Sequence, residues 1–341
     1  KFKELARERS GNIQSYTLER NEDYYGVKPY LDEITFVFYP DITAALSDLA
    51  RKRVDSLAFL TYNDREELKK SNKRSVFLQL RLSEYIAIFL NQKKTSILQD
   101  DAVREALNLS ISRDRLIQES LFSEGEPVYG PILKTFFGHK NIDGEATVDF
   151  EKAKQLLEEN DWVIPEGKTY REKNERILEF TVKTLNQEPF LSTLSILQQA
   201  WESIGVKMNV EAKDLSELET NIKDRDYEAL LFGQILGHNT DPYLFWDSSQ
   251  NTSPGLALAI FPAKETDKIL EDARKTFDDN ERSQKYQDFL QKIFETHPAL
   301  FLYNPYYFYA MDKKVLGTDF SYISRAEDRL AGLSGWYMKT K

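Results

Sequence analysis

Dense apolar runs of four to eight residues alternate along this chain with longer stretches whose apolar positions recur every three or four residues. The first spacing predicts buried strands and the second amphipathic helices, so the order of the two reads as an α/β protein. Strands are predicted over Ser15–Arg20 and over Glu33–Tyr39, which is rich in β-branched and aromatic residues. Asp41 is placed to cap a helix bearing Ala45, Leu46 and Leu49; Val54–Phe59 reads as a strand and Asn63–Ser71 as a charged helix. Two apolar runs, Ser75–Leu82 and Tyr85–Leu90, precede helices opened by Asp100 or Asp101 and by Ser112. Gly125–Gly138 reads as a loop, and Asp149 caps a helix that ends near Asn160-Asp161.

In the second half, Asn174-Glu175 separates two strand-like runs and predicts a hairpin. A helix over Leu191–Ile204, closed by Gly205, leads into the alternating strand Val206–Ala212. Asp226–Gln250 is the stretch around which this half is organised: Leu230–Phe232 reads as a buried strand, with Gly233 and Gly237 letting the backbone leave the sheet. The polar turn His238–Asp241, closed by Pro242, precedes Tyr243, Phe245 and Trp246. Loops at strand ends that mix polar groups with large rings are where α/β proteins place ligands. Helices over Thr266–Phe277 and Asp279–Glu295 come next, then two strands, Ala299–Tyr303 and Tyr306–Ala310, around Asn304-Pro305.

Composition narrows the function classes. Charges are interspersed and sum to −10, with no basic block, which argues against a nucleic-acid partner. With no cysteine there is neither a disulfide nor a thiolate metal site. No stretch approaches the ~20 apolar residues of a membrane-spanning helix. There is no G-x-S-x-G elbow, phosphate-binding glycine loop or H-E-x-x-H, and the three histidines, His139, His238 and His297, have no metal-ligand spacing. No cofactor is expected, and no enzyme chemistry. Lys1-Phe2-Lys3-Glu4 looks like mid-chain material, so the sequence is expected to be part of a longer protein.

Seven stretches in order resemble one family. They are LERNEDYYGVKPYLDEITFVFYPD, AALSDLARKRVDSL, FLNQKK with DDAVREALNLSISRDRLI, DFEKAKQLLEENDW, ILQQAWESIGVKMNV, GQILGHNTDPYLFW and LYNPYYFYAMDKKVLG. Together they resemble the later two-thirds of a family 5 extracellular solute-binding protein, the peptide and nickel receptors of ABC transporters. The resemblance implies a two-lobed α/β fold of the periplasmic-binding-protein type (class II), with ligand trapped by hinge closure. It implies a discontinuous and incomplete first lobe, residues 1–77 plus 316–341, and a second lobe, residues 78–315. It implies an extracytoplasmic protein anchored through the absent N-terminal segment, a monomer that passes ligand to an ABC permease. Peptide, oligosaccharide, nickel chelate and opine are all carried by relatives. A ligand-sensing module of a regulator and a peptide hydrolase are the alternatives.

The resemblance also nominates binding residues. Peptide-binding members often carry an acidic residue where His238 stands; Asp241, three residues on, is the substitute, able to accept charge-assisted hydrogen bonds from an ammonium or merely to cap the turn. Gln234 stands where many members have tryptophan, and Leu191-Ser192 where some dipeptide binders have arginine, which argues against strict dipeptide specificity. Asn239, Trp246, Asn91, Asn186 with Gln187, Phe190 and Tyr303 complete the candidates for the crevice.

Overall fold

The computed structural model describes residues 1–339 except 72, 143, 239–240 and 321–322. The chain divides into two compact units, Lys1–Leu82 with Tyr306–Lys341, and Ser83–Pro305. It therefore passes between units at Leu82–Ser83 and at Pro305–Tyr306, whereas the family resemblance implied lobe boundaries near Leu78 and Val315. The reason lies in pairing: the strand Ser75–Arg81 bonds along Tyr306–Asp312, which keeps both segments in the first unit.

The first unit opens with an antiparallel sheet, β1 (Phe2–Arg7), β2 (Ile13–Glu19) and β3 (Glu33–Val37), in that spatial order. Helix α1 (Ile42–Ala50) begins where the sequence predicts, its first turn capped by the Asp41 carboxylate, which accepts from the Ala44 amide at 2.8 Å. Its buried residues are Ala45, Leu46 and Leu49, the three positions picked out by spacing. Then come β4 (Ser56–Ala58), α2 (Tyr62–Ser71) and β5 (Ser75–Arg81).

In the second unit the chain forms β6 (Glu84–Leu90), α3 (Asp101–Leu109), α4 (Arg113–Ser120), β7 (Gly125–Pro127) and α5 (Phe150–Glu159). A small hairpin, β8 (Glu172–Lys173) and β9 (Arg176–Ile177), turns at Asn174-Glu175, both with positive φ (51° and 64°), at the position where the sequence predicts a hairpin. There follow β10 (Glu179–Leu185), α6 (Phe190–Glu202), β11 (Lys207–Lys213), α7 (Leu215–Asp224), β12 (Ala229–Ile235), α8 (Tyr243–Trp246), α9 (Lys264–Lys275), α10 (Asp279–Thr296) and β13 (Ala299–Asp312). The short pair β14 (Val315–Leu316) and β15 (Tyr337–Met338) belongs to the first unit.

The second unit's strands lie in the order β11-β10-β12-β6-β13. β11, β10 and β12 are parallel; β6 is antiparallel to β12, and β13 to β6. Register alternates side chains between two cores. Ile86, Ile88, Leu90, Val182, Leu231 and Trp201 share one face; Tyr85, Ala87, Phe89, Leu230, Trp246 and Phe301 share the other.

Three expectations from the sequence are corrected. Gly233 does not release the chain: it stays in β12 opposite Ile86, whose Cδ1 would lie 3.0 Å from a Cβ there, and the backbone departs only at Gly237, φ +63°. The two strands around Asn304-Pro305 are one strand, β13. Its pairing passes there from β6 to β7 and then to β5, so a proline without an N–H sits at a change of partner. The expected Gly125–Gly138 loop contains β7 because Gly125–Pro127 pairs with that part of β13.

Candidate functional site

The sheet of the second unit has one edge where several candidates meet. β10 and β12 run parallel, so both end there; β6 runs the other way, so it begins there with Glu84. From this edge spring the turn at Asn186-Gln187, which leads into α6, and Leu236–His238, while Asp241-Pro242 precede α8. In open α/β sheets, groups at the carboxyl ends of parallel strands face the crevice that takes ligands.

Gln234 stands next to last in β12, buried opposite Tyr85 in β6, and its Oε1 accepts the Tyr85 hydroxyl hydrogen bond. Tyr85 is wholly buried, and that burial drives its hydroxyl pKa far above the usual value. His238 is exposed just beyond the left-handed Gly237. Asn239 lies outside the described residues. Asn186 is exposed and tied by its amide to the Lys213 carbonyl at 2.8 Å, and Phe190, at the start of α6, is partly buried against the core. Tyr303 is fully buried, with its hydroxyl 2.8 Å from Thr193 Oγ1 in α6.

Asp241 is engaged twice within the protein. Its Oδ1 accepts from the Tyr243 amide at 3.0 Å, an Asx turn at the start of α8, and its Oδ2 lies 3.1 Å from Arg274 Nε in α9. The same guanidinium lies over the Tyr243 ring, 4.2 Å from its centre. An ammonium reaching this carboxylate would compete with a cation already in place.

Asn91 follows β6 at the opposite edge. Its amide donates to the Glu228 carbonyl at 2.8 Å, its side-chain Nδ2 to the Arg225 carbonyl at 3.1 Å, and its Oδ1 accepts from the Lys93 amide. The structure thus separates Asn91 from Gln234 by the length of the strand. Trp246 is buried among Phe89, Phe261, Phe289 and Phe301, with ring centres 5.7–6.5 Å away.

Two groups at the carboxyl edge escaped sequence reasoning. Glu84 pairs in register with Ile235 and shares the face of Ile86 and Tyr303. Glu188, before α6, accepts from the Ser192 amide at 3.2 Å, and its charge helps raise the pKa of the Tyr303 hydroxyl. The one signal for Glu84 was its charge immediately before the apolar run Tyr85–Leu90. Among the described residues no cluster of three or more histidine or carboxylate side chains is arranged to hold a metal. What the edge offers is hydrogen bonding and negative charge beside an apolar sheet, the equipment of a recognition surface.

Sequence comparison agrees with the fold. Residues 8–255 match the model of the bacterial extracellular solute-binding proteins, family 5 (middle), and the chain belongs to that family. It is 29% identical over 89% of its length to the oligopeptide-binding protein AppA of Bacillus subtilis, covering 56% of that protein. Against the nickel-binding periplasmic protein of Escherichia coli it is 27% identical over 80% of the chain, covering 53% of the relative. The chain thus spans about half the length of these relatives. The solved structure of Bacillus subtilis AppA in complex with a nonapeptide superposes with a TM-score of 0.80 at 27% identity, covering 99% of this chain and 66% of that one. NikZ of Campylobacter jejuni, in complex with Ni(L-His), gives a TM-score of 0.81 at 21% identity, a likeness of fold. Among the described residues no helix is long and apolar enough to cross a membrane.

Proposed function

We propose that this chain belongs to a solute-binding receptor that takes a peptide or peptide-like ligand outside the cytoplasm and delivers it to an ABC permease. The observation that carries the reading is that Asn186–Phe190 and Gln234–His238 leave the parallel strands β10 and β12 at the same carboxyl edge of one sheet. Family membership supports it, as does similarity to relatives named for oligopeptide and dipeptide binding. Peptide is preferred over metal because AppA, to which the chain is 29% identical, was solved with a peptide. Binding energy would shift an open–closed equilibrium of the two units about the chain crossings at Leu82–Ser83 and Pro305–Tyr306. No chemical step belongs to this proposal. In the full-length protein, native mass spectrometry should recover intact bound peptide, and X-ray scattering should give a smaller radius of gyration with it than without. Recovery of cleaved peptide, or an unchanged radius at saturation, would reject capture by closure.

A further inference from the structure

We propose that Glu84 is the carboxylate that receives the cationic end of the ligand, an ammonium or guanidinium, at the carboxyl edge of the second unit's sheet. The proposal rests on the peptide reading above and assigns one residue its chemistry. Register sets Glu84 opposite Ile235 and on the face that continues inward as Ile86, Ile88 and Leu90, all buried and apolar. Ile235 itself is 61% exposed. Glu84 is therefore the first charged group met on entering an apolar face from its open end.

Among the described residues, no donor or cation reaches it. Burial alone acts on its carboxyl, pushing it up to about 6, with no neighbouring charge contributing. The contrast with other carboxylates at or near this edge is sharp: Asp241 holds Arg274, and Glu188 accepts the Ser192 amide. A carboxylate that is desolvated and unpaired costs stability, and folded proteins retain such groups where a ligand completes them. Tyr303, in register with Ile86 on this face, is a hydroxyl that burial keeps neutral at pH 7, so it supplies no positive charge.

Glu84→Gln in the full-length protein tests this at pH 7.5. Each protein is offered a mixture of tri- to nonapeptides, either with free amino termini or N-acetylated, and retained peptide is quantified by mass spectrometry. The wild type should retain the free-amino set, and the variant at least tenfold less of it. Equal retention by both proteins, with the same preference for free amino termini, would overturn the assignment. If the wild type retains no peptide, the peptide reading fails, and spermidine serves as a cation that is no peptide. Its binding to the wild type and loss in Glu84→Gln sustains the assignment; no difference between the proteins ends it. Melting guards against a trivial fold defect. Glu84→Gln should melt above the wild type at pH 8, where the desolvated charge is gone, and converge with it near pH 4. A variant that melts lower at pH 8 would show a structural partner for the carboxylate and overturn the proposal.

Discussion

Most large apolar residues of the second unit lie in two extensive cores, with Phe122, Ile235 and Phe277 among those left exposed, whereas the smaller first unit leaves a larger share of its own in water. Between Ser83 and Pro305, two clusters fill both faces of one sheet and include fully buried Trp201, Tyr227, Phe180 and Phe289. The first unit has two smaller clusters, around Leu49 with Leu68 and around Tyr309 with Met311. Phe2, Val27, Tyr30, Phe38 and Phe59 are exposed there, and Tyr25 is 97% exposed. The lesson is that similar apolar content yields different energetics when one sheet has helices on both faces and the other, β1-β2-β3, is a three-stranded ribbon with little to cover it.

The comparison breaks most visibly at Trp201. Its ring packs on Phe180 and its Nε1 donates to the Leu107 carbonyl at 3.1 Å. Trp201→Ala should cost about 3–5 kcal/mol, read from the shift of the urea midpoint. A loss below about 1 kcal/mol would mean that the second unit's core is no tighter than the first's.

Arg113 gives the next effect. Buried at the start of α4, its Nε donates to the Val128 and Phe301 carbonyls at 3.2 and 2.8 Å, and its Nη2 to Asn108 Oδ1 at 2.8 Å. Burial draws its pKa down to about 10, so it stays charged at neutral pH. Arg113→Ala leaves those acceptors unpaired and should destabilise by on the order of 3 kcal/mol. Near-neutral unfolding free energy for this variant would show that water replaces the guanidinium without loss.

His297 makes the second unit sensitive to acid. It ends α10 in the left-handed region, φ 43°, and burial pushes its imidazole down to about 4. The unfolded chain therefore binds a proton there that the folded chain does not, between about pH 6.5 and 4. Its contribution is complete above pH 6.5 and is lost as pH falls, at up to about 1.4 kcal/mol per pH unit. Glu84 works in the opposite sense: its raised pKa stabilises the fold below about pH 4.5 and that contribution is gone above about 6. His297→Asn, which tolerates the same backbone region, should flatten the acid side of the stability profile. An unaltered slope would place the acid sensitivity elsewhere.

The smallest effects belong to the first unit. Phe59 has φ +57° and is 65% exposed, touching the Tyr307 ring edge-on at 5.1 Å. Phe59→Gly should relieve about 1 kcal/mol of backbone strain and lose a contact of similar size, leaving the melting point nearly unchanged. Tyr25→Ser should move stability by less than about 0.5 kcal/mol while reducing binding of a hydrophobic dye. A loss of several kcal/mol at either position would mean that the first unit is packed as tightly as the second.

What the sequence determined by itself was local. Asp41, Asp100, Ser112 and Asp149 cap the helices they were expected to cap, because a side-chain oxygen and an amide two or three residues on meet whatever the rest of the chain does. Asn174-Glu175 turns its hairpin for the same reason, and the ordered family stretches pointed to the family. The tertiary structure decided which of these pieces meet. Asn91 follows β6 and Gln234 lies in β12, two strands bonded to each other, yet the two residues sit at opposite edges, because β6 and β12 are antiparallel and nothing in either run states its direction. Gln234 finds Tyr85 149 residues away, and Asp241 finds Arg274 one helix later, so neither group was free to be judged from its neighbours. Glu84 carried a single charge at the start of an apolar run; only the register with Ile235 shows it at an open edge with no cation beside it. Helix caps and tight turns depend on energies acting across a few bonds, whereas partnership between distant side chains depends on the strand order that the whole core selects.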